Sequence, residues 1–541
     1  MTSDSTQRTQ TFDQVFDHVI VGGGSAGSAL AHRLASYHPT ERVLLLEAGS
    51  RDYSPFIHVP AAIIKAIGNP RLDWMNMAEP DRSRNDRVDL WPAGKVLGGS
   101  SAINGMLYVR GRAADFNRWA DNGCDGWAYD DLLPVMKRLE RTVVGDHHVR
   151  GRSGPVNVAR LRTTHPLAHV FIDAAKEAGV PFNEDYNGAE QAGVAYSQVT
   201  QSRGWRYHTA RAYLWPGKKP SNLTVRTGAM VTELVFDGKT CTGVVYGKGA
   251  HKKRIKARAG VTLTAGTMAT PKLLMLNGIG PAEALTSHGI EVRQDAPGVG
   301  QNLQEHPEGM VSIEVNQSTF NTEINSWKIV MHAMNWFVFG RGPATSPYPH
   351  AVAFMKADPA DEVADIEVQL GPYAFSFDEN GVIPYDKPAI SAAVNIAYPK
   401  TRGTLSLRSK DPVASPKISH NLFDNEDDLV RLTKGCRAVR GILSSPAFDA
   451  HRVAERLPGK DVQTDDEWAD FLRQTAFLGY HAVGTCRMGS DGDSVVTPDL
   501  KVRGVKNLRI ADASVMPDLI SGNTNATAIL IGEKAADLIA G

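Results

Sequence analysis

The chain has 541 residues, several times the length of one domain, so it can enclose a large core and a large ligand. With 42% hydrophobic residues, and with 59 acidic and 59 basic residues that cancel, it has the composition of a globular enzyme and no basic field for nucleic acid. Residues 1–16 lack the apolar core of a secretory signal, and no stretch is apolar enough to cross a bilayer. We therefore expect a cytoplasmic protein without an integral membrane segment, for which a peripheral contact with the inner membrane stays open.

The first predicted element is a βαβ unit at the N-terminus. Residues 17–21 predict a short strand, a glycine turn follows, and Ala29, Leu30 and Leu34 recur at helical spacing. Residues 43–46 are a wholly apolar run of the kind that is buried on both faces of a parallel sheet. This order of elements indicates an α/β fold.

The turn inside this unit reads Gly-Gly-Gly-Ser-Ala-Gly and satisfies the dinucleotide pattern G-x-G-x-x-G. Its glycines suit a tight turn, a close approach of backbone to pyrophosphate, and packing of the helix on the strand. Glu47, at the tip of the second strand, can accept hydrogen bonds from ribose hydroxyls. The turn predicts a dinucleotide but does not separate FAD from NAD. The cofactor residues expected in this unit are Gly22, Gly24, Ser25, Ala26, Gly27, Glu47 and Ala48.

Residues 94–111 indicate which of the two dinucleotides, FAD or NAD, the chain binds. Their sequence, Gly-Lys-Val-Leu-Gly-Gly-Ser-Ser-Ala-Ile-Asn-Gly-Met-Leu-Tyr-Val-Arg-Gly, resembles the first signature of the glucose-methanol-choline (GMC) oxidoreductase family. In that family the stretch wraps FAD, which implies FAD contacts at Val96, Gly99, Asn104, Gly105, Met106 and Leu107. Some members bind FAD covalently through a histidine just before the asparagine. Because Ile103 stands there, we expect a non-covalent FAD.

The resemblance covers nearly the whole chain, from about residue 16 to the C-terminus. Residues 266–280 are similar to the second family signature, with Asn277 where the family usually has serine, and residues 297–306 continue the pattern. The resemblance also implies a contact of Val231 with adenine, although core packing explains this residue equally well. Within the family, the bacterial choline and alkanol dehydrogenases are the most similar group.

The catalytic residues implied by the resemblance lie near the C-terminus. Residues 480–489 are similar to the block that carries the family's catalytic histidine, which is His481 here. An imidazole with a pKa near neutrality suits removal of the hydroxyl proton of an alcohol. Asn523 stands where the family has histidine or asparagine. Its amide can donate to the substrate oxygen but cannot take a proton, so His481 should be the only base.

Three further residues near these two are implied as FAD contacts: Asp512, Ala513 and Thr524. A carboxylate beside a phosphate would repel it, so we expect the side chain of Asp512 to turn away or to bind water. The structural alternative for Asn523 is an N-cap of the last helix, predicted over about residues 526–539.

The predicted fold class is α/β, or α+β over the whole chain: a Rossmann-like FAD-binding domain with an inserted, largely antiparallel-sheet substrate-binding domain. The first domain would comprise residues 12–310 and 471–541, with excursions at about 57–90 and 150–200, and the second residues 311–470. The inserted region is rich in aromatic residues, of which we interpret most as core and a subset as pocket wall. They are Trp327, Trp336, Phe337, Phe339, Tyr348, Tyr373, Phe375, Phe377 and Tyr385.

The sequence thus predicts FAD-dependent oxidation of a primary alcohol to the aldehyde, by hydride transfer to flavin N5 with His481 as general base. One alternative is a choline dehydrogenase or oxidase, which would need an aromatic cage and a carboxylate such as Asp378 for the ammonium group. Another is a hydroxynitrile lyase of the same family, with a non-redox flavin. The electron acceptor, oxygen or a quinone- or dye-type compound, stays open with a dehydrogenase favoured. A homodimer also stays open.

The cysteines are spread along the chain without a C-x-x-C pair. This spacing is typical of reduced, buried thiols rather than of a disulfide framework or a zinc site, so we expect neither a disulfide nor a metal. The four residues are Cys124, Cys241, Cys436 and Cys486.

Overall fold

The computed structural model describes residues 12–215, 217–247, 249–324, 327–378 and 381–541. Two seven-stranded sheets organise this part of the chain, and helices pack around them. The α-helices are Ser25–Tyr37, Pro55–His58, Ala113–Asp121, Tyr129–Leu139, Pro166–Glu177, Gly266–Leu276, Ala282–Ser287, Phe320–Ile324, Lys328–Phe339, Glu426–Leu443, Asp465–Thr475 and Asn525–Ala540. Among the residues described, every helix is too short or too polar to cross a bilayer.

The first sheet is parallel at its centre. The strand Gln14–Val21 lies between Val43–Leu46 and Lys253–Leu263 and runs parallel to both. All four residues of Val43–Leu46 are buried, as expected for a strand covered on both faces. In order, the strands are Leu223–Arg226, Val43–Leu46, Gln14–Val21, Lys253–Leu263, Thr240–Tyr246 and Val231–Asp237, with Leu508–Ile510 pairing beside Lys253–Leu263.

The second sheet is antiparallel throughout. Its central strands Pro307–Val315, Ala389–Ile396 and Ile366–Gly371 are almost entirely buried, with the helix Glu426–Leu443 packed against them. In order, the strands are Arg452–Leu457, Pro307–Val315, Ala389–Ile396, Ile366–Gly371, Ala351–Met355 and Gly193–Tyr196, with Phe477–Leu478 pairing with the start of Pro307–Val315. This last pairing places a segment from near the C-terminus beside the first residues of strand Pro307–Val315.

The two ends of the chain are packed together. The helix Ser25–Tyr37 lies along the last helix, Asn525–Ala540. Between them the fully buried Glu533 accepts hydrogen bonds from Arg33 at 2.8 Å, Arg138 at 3.1 Å and the Tyr213 hydroxyl at 2.9 Å. Ser25 also donates to Asn525, 500 residues away, at 2.7 Å. The first turn of the first helix is therefore completed by the last helix.

The structure agrees with the predicted βαβ unit and with the α/β class. The cysteines are buried free thiols, as predicted. The limits of the two sheets differ from those of the predicted domains. Strand Pro307–Val315 crosses the predicted boundary at residue 310. Strands Gly193–Tyr196 and Phe477–Leu478 belong to the second sheet, although their segments are assigned to the first domain. The sheet limits could not be predicted because local sequence patterns do not show which distant segments pair in a sheet. The division into two domains stays a prediction.

Candidate active site

A cavity of about 1070 Å³ is lined by residues of both sheets. This is the upper end of the size range of ligand pockets, and it gives room for a dinucleotide together with a small substrate. The structure brings most of the predicted site residues to its wall: Gly22, Gly24, Ser25, Ala26, Glu47, Ala48, Gly99, Asn104, Gly105, Met106, Leu107, Val231, His481, Asp512, Ala513, Asn523 and Thr524.

Two predicted cofactor residues, Gly27 and Val96, do not line the cavity. A side chain at Gly27 would lie 1.9 Å from the Gly22 carbonyl oxygen, so this glycine serves helix packing. Val96 is fully buried among Ile57, Leu72 and neighbouring apolar residues. The dinucleotide pattern predicts a cofactor contact for Gly27, and the family signature predicts one for Val96. In the structure both residues have a packing role, and their contact with the cofactor stays a prediction.

The glycine turn fits a diphosphate. The helix Ser25–Tyr37 begins after Gly24 without a side-chain cap, and its first residues face the cavity. Uncapped helix N-termini bind anions through their free amides and the helix dipole. A side chain at Gly99 would lie 2.6 Å from the Gly24 Cα atom, so the turn and the 94–111 segment can approach this closely because position 99 is glycine. Together they form a cradle lined by backbone.

Glu47 braces this turn. Its carboxyl oxygens accept hydrogen bonds from the amides of Gly23, at 2.8 Å, and Gly49, at 2.7 Å. Burial raises the pKa of Glu47 to about 7, against the opposing effect of these two amides. The carboxyl therefore holds the first two strand ends together at the cavity wall, in the position where a ribose contact is expected.

Asp512 directs its carboxyl away from the cavity. The oxygens accept hydrogen bonds from the Gly266 amide at 2.9 Å, the Thr270 hydroxyl at 2.7 Å, and the amide and hydroxyl of Ser514 at 2.9 and 2.6 Å. Burial nevertheless raises its pKa. These contacts fix the loop before the last helix, so that its backbone can face a cofactor without the carboxylate doing so.

His481 and Asn523 are brought together at the cavity wall. The Asn523 amide nitrogen lies 2.8 Å from His481 Nε2. On its other side, His481 Nδ1 lies 2.9 Å from Nδ1 of His306, and its backbone amide donates to the Glu305 carboxylate at 2.7 Å. Asn523 does not cap the last helix, whose N-cap position is Thr524 without a side-chain bond. The N-cap alternative is therefore wrong.

This chain of contacts fixes the tautomer of His481. His306 Nε2 lies 3.2 Å from the carbonyl oxygen of Ala397, which can only accept, so His306 carries its proton on Nε2. His306 Nδ1 then accepts, and His481 must donate to it from Nδ1. The unprotonated Nε2 of His481 is left facing Asn523 and the cavity. Burial, with a smaller contribution from His306, holds the pKa of His481 well below its usual value, so the ring is neutral at neutral pH.

Backbone strain occurs at two residues of the cavity wall, one of them directly before this histidine. Tyr480 and Met106 both line the cavity and both have a φ of 63°, in the left-handed region that residues other than glycine rarely adopt. At Gly479 an added methyl group would lie 2.9 Å from His481 Nδ1 and 3.1 Å from Glu308 Oε1. The strained turn thus orients His481 and brings it close to a buried carboxyl.

Three buried carboxyl groups lie around the base. Glu305 and Glu308 line the cavity, and burial raises the pKa of each to about 8. Glu367, whose pKa burial raises to about 7, lies behind them, and Asn395 donates to it at 3.0 Å and to Glu308 at 3.3 Å. None of these three carboxyls has a described ion-pair partner of 4.0 Å or less. Glu305 and Glu308 therefore give the cavity wall two carboxyl groups that are largely protonated at neutral pH and that a bound cation would favour in the ionised form.

Aromatic rings complete the wall beside Glu308. Tyr348 and Tyr373 lie 6.1 and 5.8 Å from Phe375 between ring centroids, and Phe477 lies 6.5 Å from it. All four rings line the cavity. The interpretation of the aromatic residues as mostly core is wrong: Trp327, Phe337 and Phe339 are about 70% exposed. The side chains of Phe377 and Asp378 lie outside the described residues.

Sequence reasoning missed Glu305, His306 and Glu308. They stand in and directly after the 297–306 segment, and two acids and a histidine within four residues at the start of an apolar strand were an available signal. The signal is weak because nothing in the sequence shows that Phe477–Leu478 pairs with this strand. That pairing sets Glu305 and His306 against His481.

The comparison with protein families gives two matches, which together cover most of the chain. Residues 16–308 match the N-terminal part of the GMC oxidoreductase family and residues 399–532 match its C-terminal part. The segment between them carries much of the second sheet.

Among curated proteins, the chain is 41% identical to the oxygen-dependent choline dehydrogenase of Rhizobium meliloti (strain 1021), over 97% of this chain and 95% of that protein. It is 40% identical to the oxygen-dependent choline dehydrogenase of Brucella suis biovar 1 (strain 1330), with the same coverage. Among solved structures, pyridoxine 4-oxidase from Mesorbium loti superposes with a TM-score of 0.88 at 31% identity, over 96% of this chain and 98% of that one. Formate oxidase from Aspergillus oryzae RIB40 gives a TM-score of 0.89 at 27% identity, over 98% and 99%.

Proposed function

Because the chain belongs to the GMC oxidoreductase family and is an FAD-dependent alcohol oxidoreductase, we propose that it oxidises a primary alcohol at the His481 end of the cavity. The observation that carries this proposal is the fixed tautomer of His481. Its unprotonated Nε2 lies at the cavity wall, where it accepts from the Asn523 amide, and it can take a proton from a hydroxyl group once that amide turns to the substrate.

In the proposed reaction, His481 takes the hydroxyl proton of the alcohol and Asn523 binds the alcohol oxygen. The alcohol hydroxyl donates its proton to His481 Nε2, and the imidazolium that forms is stabilised by the hydrogen bond from its Nδ1 to His306. Asn523 turns its amide from His481 to the substrate oxygen, where it donates to the developing negative charge. Removal of one such donor typically slows an enzyme by about 10²–10³-fold.

The cavity fits FAD. The backbone cradle at residues 22–27 and 99 would hold the diphosphate, Glu47 the ribose, and the segments around Met106 and Ala513 the ring. FAD, when bound, supplies the acceptor for the hydride that leaves the alcohol carbon. Ile103 lines the cavity where a covalent link would need a histidine, so we propose that FAD is held without one.

The substrate class that suits the pocket is an alcohol with a quaternary ammonium group, of the choline type. A cation beside Glu308 would restore to this buried carboxyl the favourable environment that it lost on leaving water. The rings of Tyr348, Phe375 and Phe477 offer faces and edges to a methylated ammonium group. Choline is also the substrate that the names of the curated relatives give for those proteins.

The proposal is tested by anaerobic stopped-flow reduction of the bound flavin with choline, with its neutral isostere 3,3-dimethylbutan-1-ol, with hexan-1-ol and with benzyl alcohol. We expect choline to bleach the flavin fastest. The His481→Gln variant, with its FAD content checked by absorbance, should lose at least about 10³-fold in rate. Bleaching by no alcohol would overturn the oxidation proposal and favour the lyase; equal rates for choline and its isostere would overturn only the substrate class.

For the electron acceptor we propose a quinone-type compound, and for the place of action the cytoplasmic side of the cell. The relatives are named as oxygen-dependent, which makes oxygen the alternative acceptor. Turnover with choline in air, with peroxide measured beside reduction of a water-soluble ubiquinone analogue, decides between them. Peroxide formed in equal amount to the aldehyde would contradict the quinone proposal.

A further inference from the structure

The helix Lys328–Phe339 is apolar on nearly all sides, yet most of it faces solvent. Of its large apolar residues only Trp336 is buried, while Met334, Val338 and Phe339 are 63%, 63% and 67% exposed. Trp327, just before the helix, is 73% exposed. A surface helix of a globular protein normally hides its apolar stripe, and contiguous exposed apolar patches mark interaction sites. We call residues 327–339 the apolar helix.

The apolar helix is also a wall of the active-site cavity. Its inner residue Trp336 donates from Nε1 to the Gly204 carbonyl at 2.7 Å and stacks on Trp205 with ring centroids 4.2 Å apart. His332, Trp336 and Phe337 line the cavity. Whatever covers the outer side of this helix therefore lies one helix diameter from the space where the substrate binds.

Basic side chains surround the C-terminal end of the helix. Arg162 donates to the Gly340 carbonyl at 2.9 Å, and the exposed Arg203 and Arg341 lie next to the same glycine. The exposed Lys65 ends the turn Pro60–Lys65, which packs on residues 343–345. An apolar face with cationic side chains at its edge is complementary to an anionic bilayer, in which acyl chains lie below negatively charged head groups.

We propose that the apolar helix docks this enzyme on the surface of an anionic lipid bilayer. The twelve helical residues Lys328–Phe339 span about 18 Å, too short for a hydrocarbon core of about 30 Å, so the helix lies in the plane of the interface. Docking places the cavity wall against the lipid, from which an apolar acceptor of the quinone class can reach the site. This last step rests on the proposed function; the docking itself does not.

The test is co-sedimentation of the FAD-loaded protein with sucrose-filled vesicles of phosphatidylglycerol and phosphatidylethanolamine, compared with vesicles of phosphatidylcholine alone. We expect binding to the anionic vesicles that weakens with added salt. The triple variant Met334→Ser, Val338→Ser, Phe339→Ser, whose three residues do not line the cavity, should bind at least about tenfold more weakly. The variant should keep its rate of flavin reduction by choline, which separates this test from that of the proposed function.

The matched control is the triple variant Val143→Ser, Val413→Ser, Val453→Ser, which removes three other exposed apolar side chains. It should bind vesicles as the unchanged protein does. The proposal is overturned if the unchanged protein does not sediment with anionic vesicles, or if both triple variants lose binding equally. A third outcome would also overturn it: light scattering shows a dimer, and the triple variant at Met334, Val338 and Phe339 dissociates this dimer while the control variant does not. A second copy of the chain would then cover the helix.

Discussion

At the scale of single residues, the protonation of His481 is decided by a backbone group two contacts away. The Ala397 carbonyl fixes the proton of His306, and His306 fixes that of His481. A side-chain oxygen in place of His306 Nδ1 could accept the same hydrogen bond, whereas an apolar group could not. His306 is therefore a positioning residue whose role can be separated from that of packing.

We expect His306→Leu to slow flavin reduction by about 10²-fold and His306→Asn to restore most of that loss, because Asn Oδ1 replaces the acceptor at Nδ1. The measurement is the reduction rate over pH, together with ¹⁵N resonances of the His481 ring, assigned by their absence in His481→Gln. In His306→Leu the Nε2 resonance should move from the unprotonated towards the protonated position. Equal rates in the two variants would mean that His306 acts through packing alone.

A second prediction concerns the charge of Glu308. Its pKa, raised by burial to about 8 without substrate, means that the carboxyl is neutral below that pH and ionised above it. The ratio of kcat/KM for choline to that for 3,3-dimethylbutan-1-ol should therefore rise with pH by up to about tenfold per unit and level off above pH 8. The ratio cancels the titration of groups that act on both substrates.

The Glu308→Gln variant is the control for this prediction. It keeps the hydrogen bond from Asn395 and removes the charge, so its ratio should be low and independent of pH. A ratio that still rises with pH in Glu308→Gln would assign the effect to Glu305, the neighbouring carboxyl whose pKa is also raised to about 8.

The catalytic pair could be predicted from the sequence because each member lies in a short, specific block of residues. His481 and Asn523 were found in this way, and the structure places them 2.8 Å apart. Their surroundings could not be predicted, because the roles of Glu305 and His306 depend on a strand pairing between segments 170 residues apart in the chain. Local patterns carry no information about such a register.

At the scale of elements, three helical segments meet at one buried carboxylate. Glu533 on the last helix accepts hydrogen bonds from Arg33 on the first helix and from Arg138 on the helix Tyr129–Leu139. The Tyr213 hydroxyl donates a further hydrogen bond to it. Two guanidinium groups, which are partly exposed, share this single fully buried anion. Removal of the anion leaves Arg33 without this partner and Arg138 with Asp537 alone. The buried Tyr213 hydroxyl loses its acceptor as well, so the removal costs more than the loss of a surface pair.

We expect Glu533→Ala to destabilise the protein by about 3–5 kcal/mol and to lower the Tm by several degrees. The control is Asp537→Ala on the same helix, which removes the partly exposed partner of Tyr37 and Arg138 and should cost about 0–1 kcal/mol. Thermal unfolding followed by circular dichroism measures both. Similar losses in the two variants would contradict the role given to Glu533.

The helices also show where element-level prediction stops. The βαβ unit and the last helix could be predicted because their apolar residues recur at the period of their own structure. The apolar helix has no such stripe, since its apolar residues surround the axis. A sequence of this kind reads as core, and only the structure reveals that most of it is exposed.

At the scale of the whole molecule, the cavity proposed for FAD is lined by both sheets and by both ends of the chain. FAD bound there would be a structural part of the interior. Acid precipitation should leave the yellow colour in the supernatant, because no covalent link holds FAD. Colour that stays in the pellet would contradict the non-covalent assignment.

The bound cofactor should also stabilise the fold. Protein freed of FAD at low pH and returned to neutral buffer should have a lower Tm, restored by added FAD, since a ligand at 1,000 times its Kd stabilises by about 4 kcal/mol.

The contact between Ser25 and Asn525 bears on how the cell makes this enzyme. A ribosome adding about 5–20 residues each second needs about 25 to 100 s to travel the 500 residues that separate the two partners. During that time the glycine turn has been synthesised, while the helix that completes it does not yet exist. Because residues of both chain ends line the cavity, its wall is complete only after the last helix has been synthesised, and we expect FAD to be held in its final site only from that point.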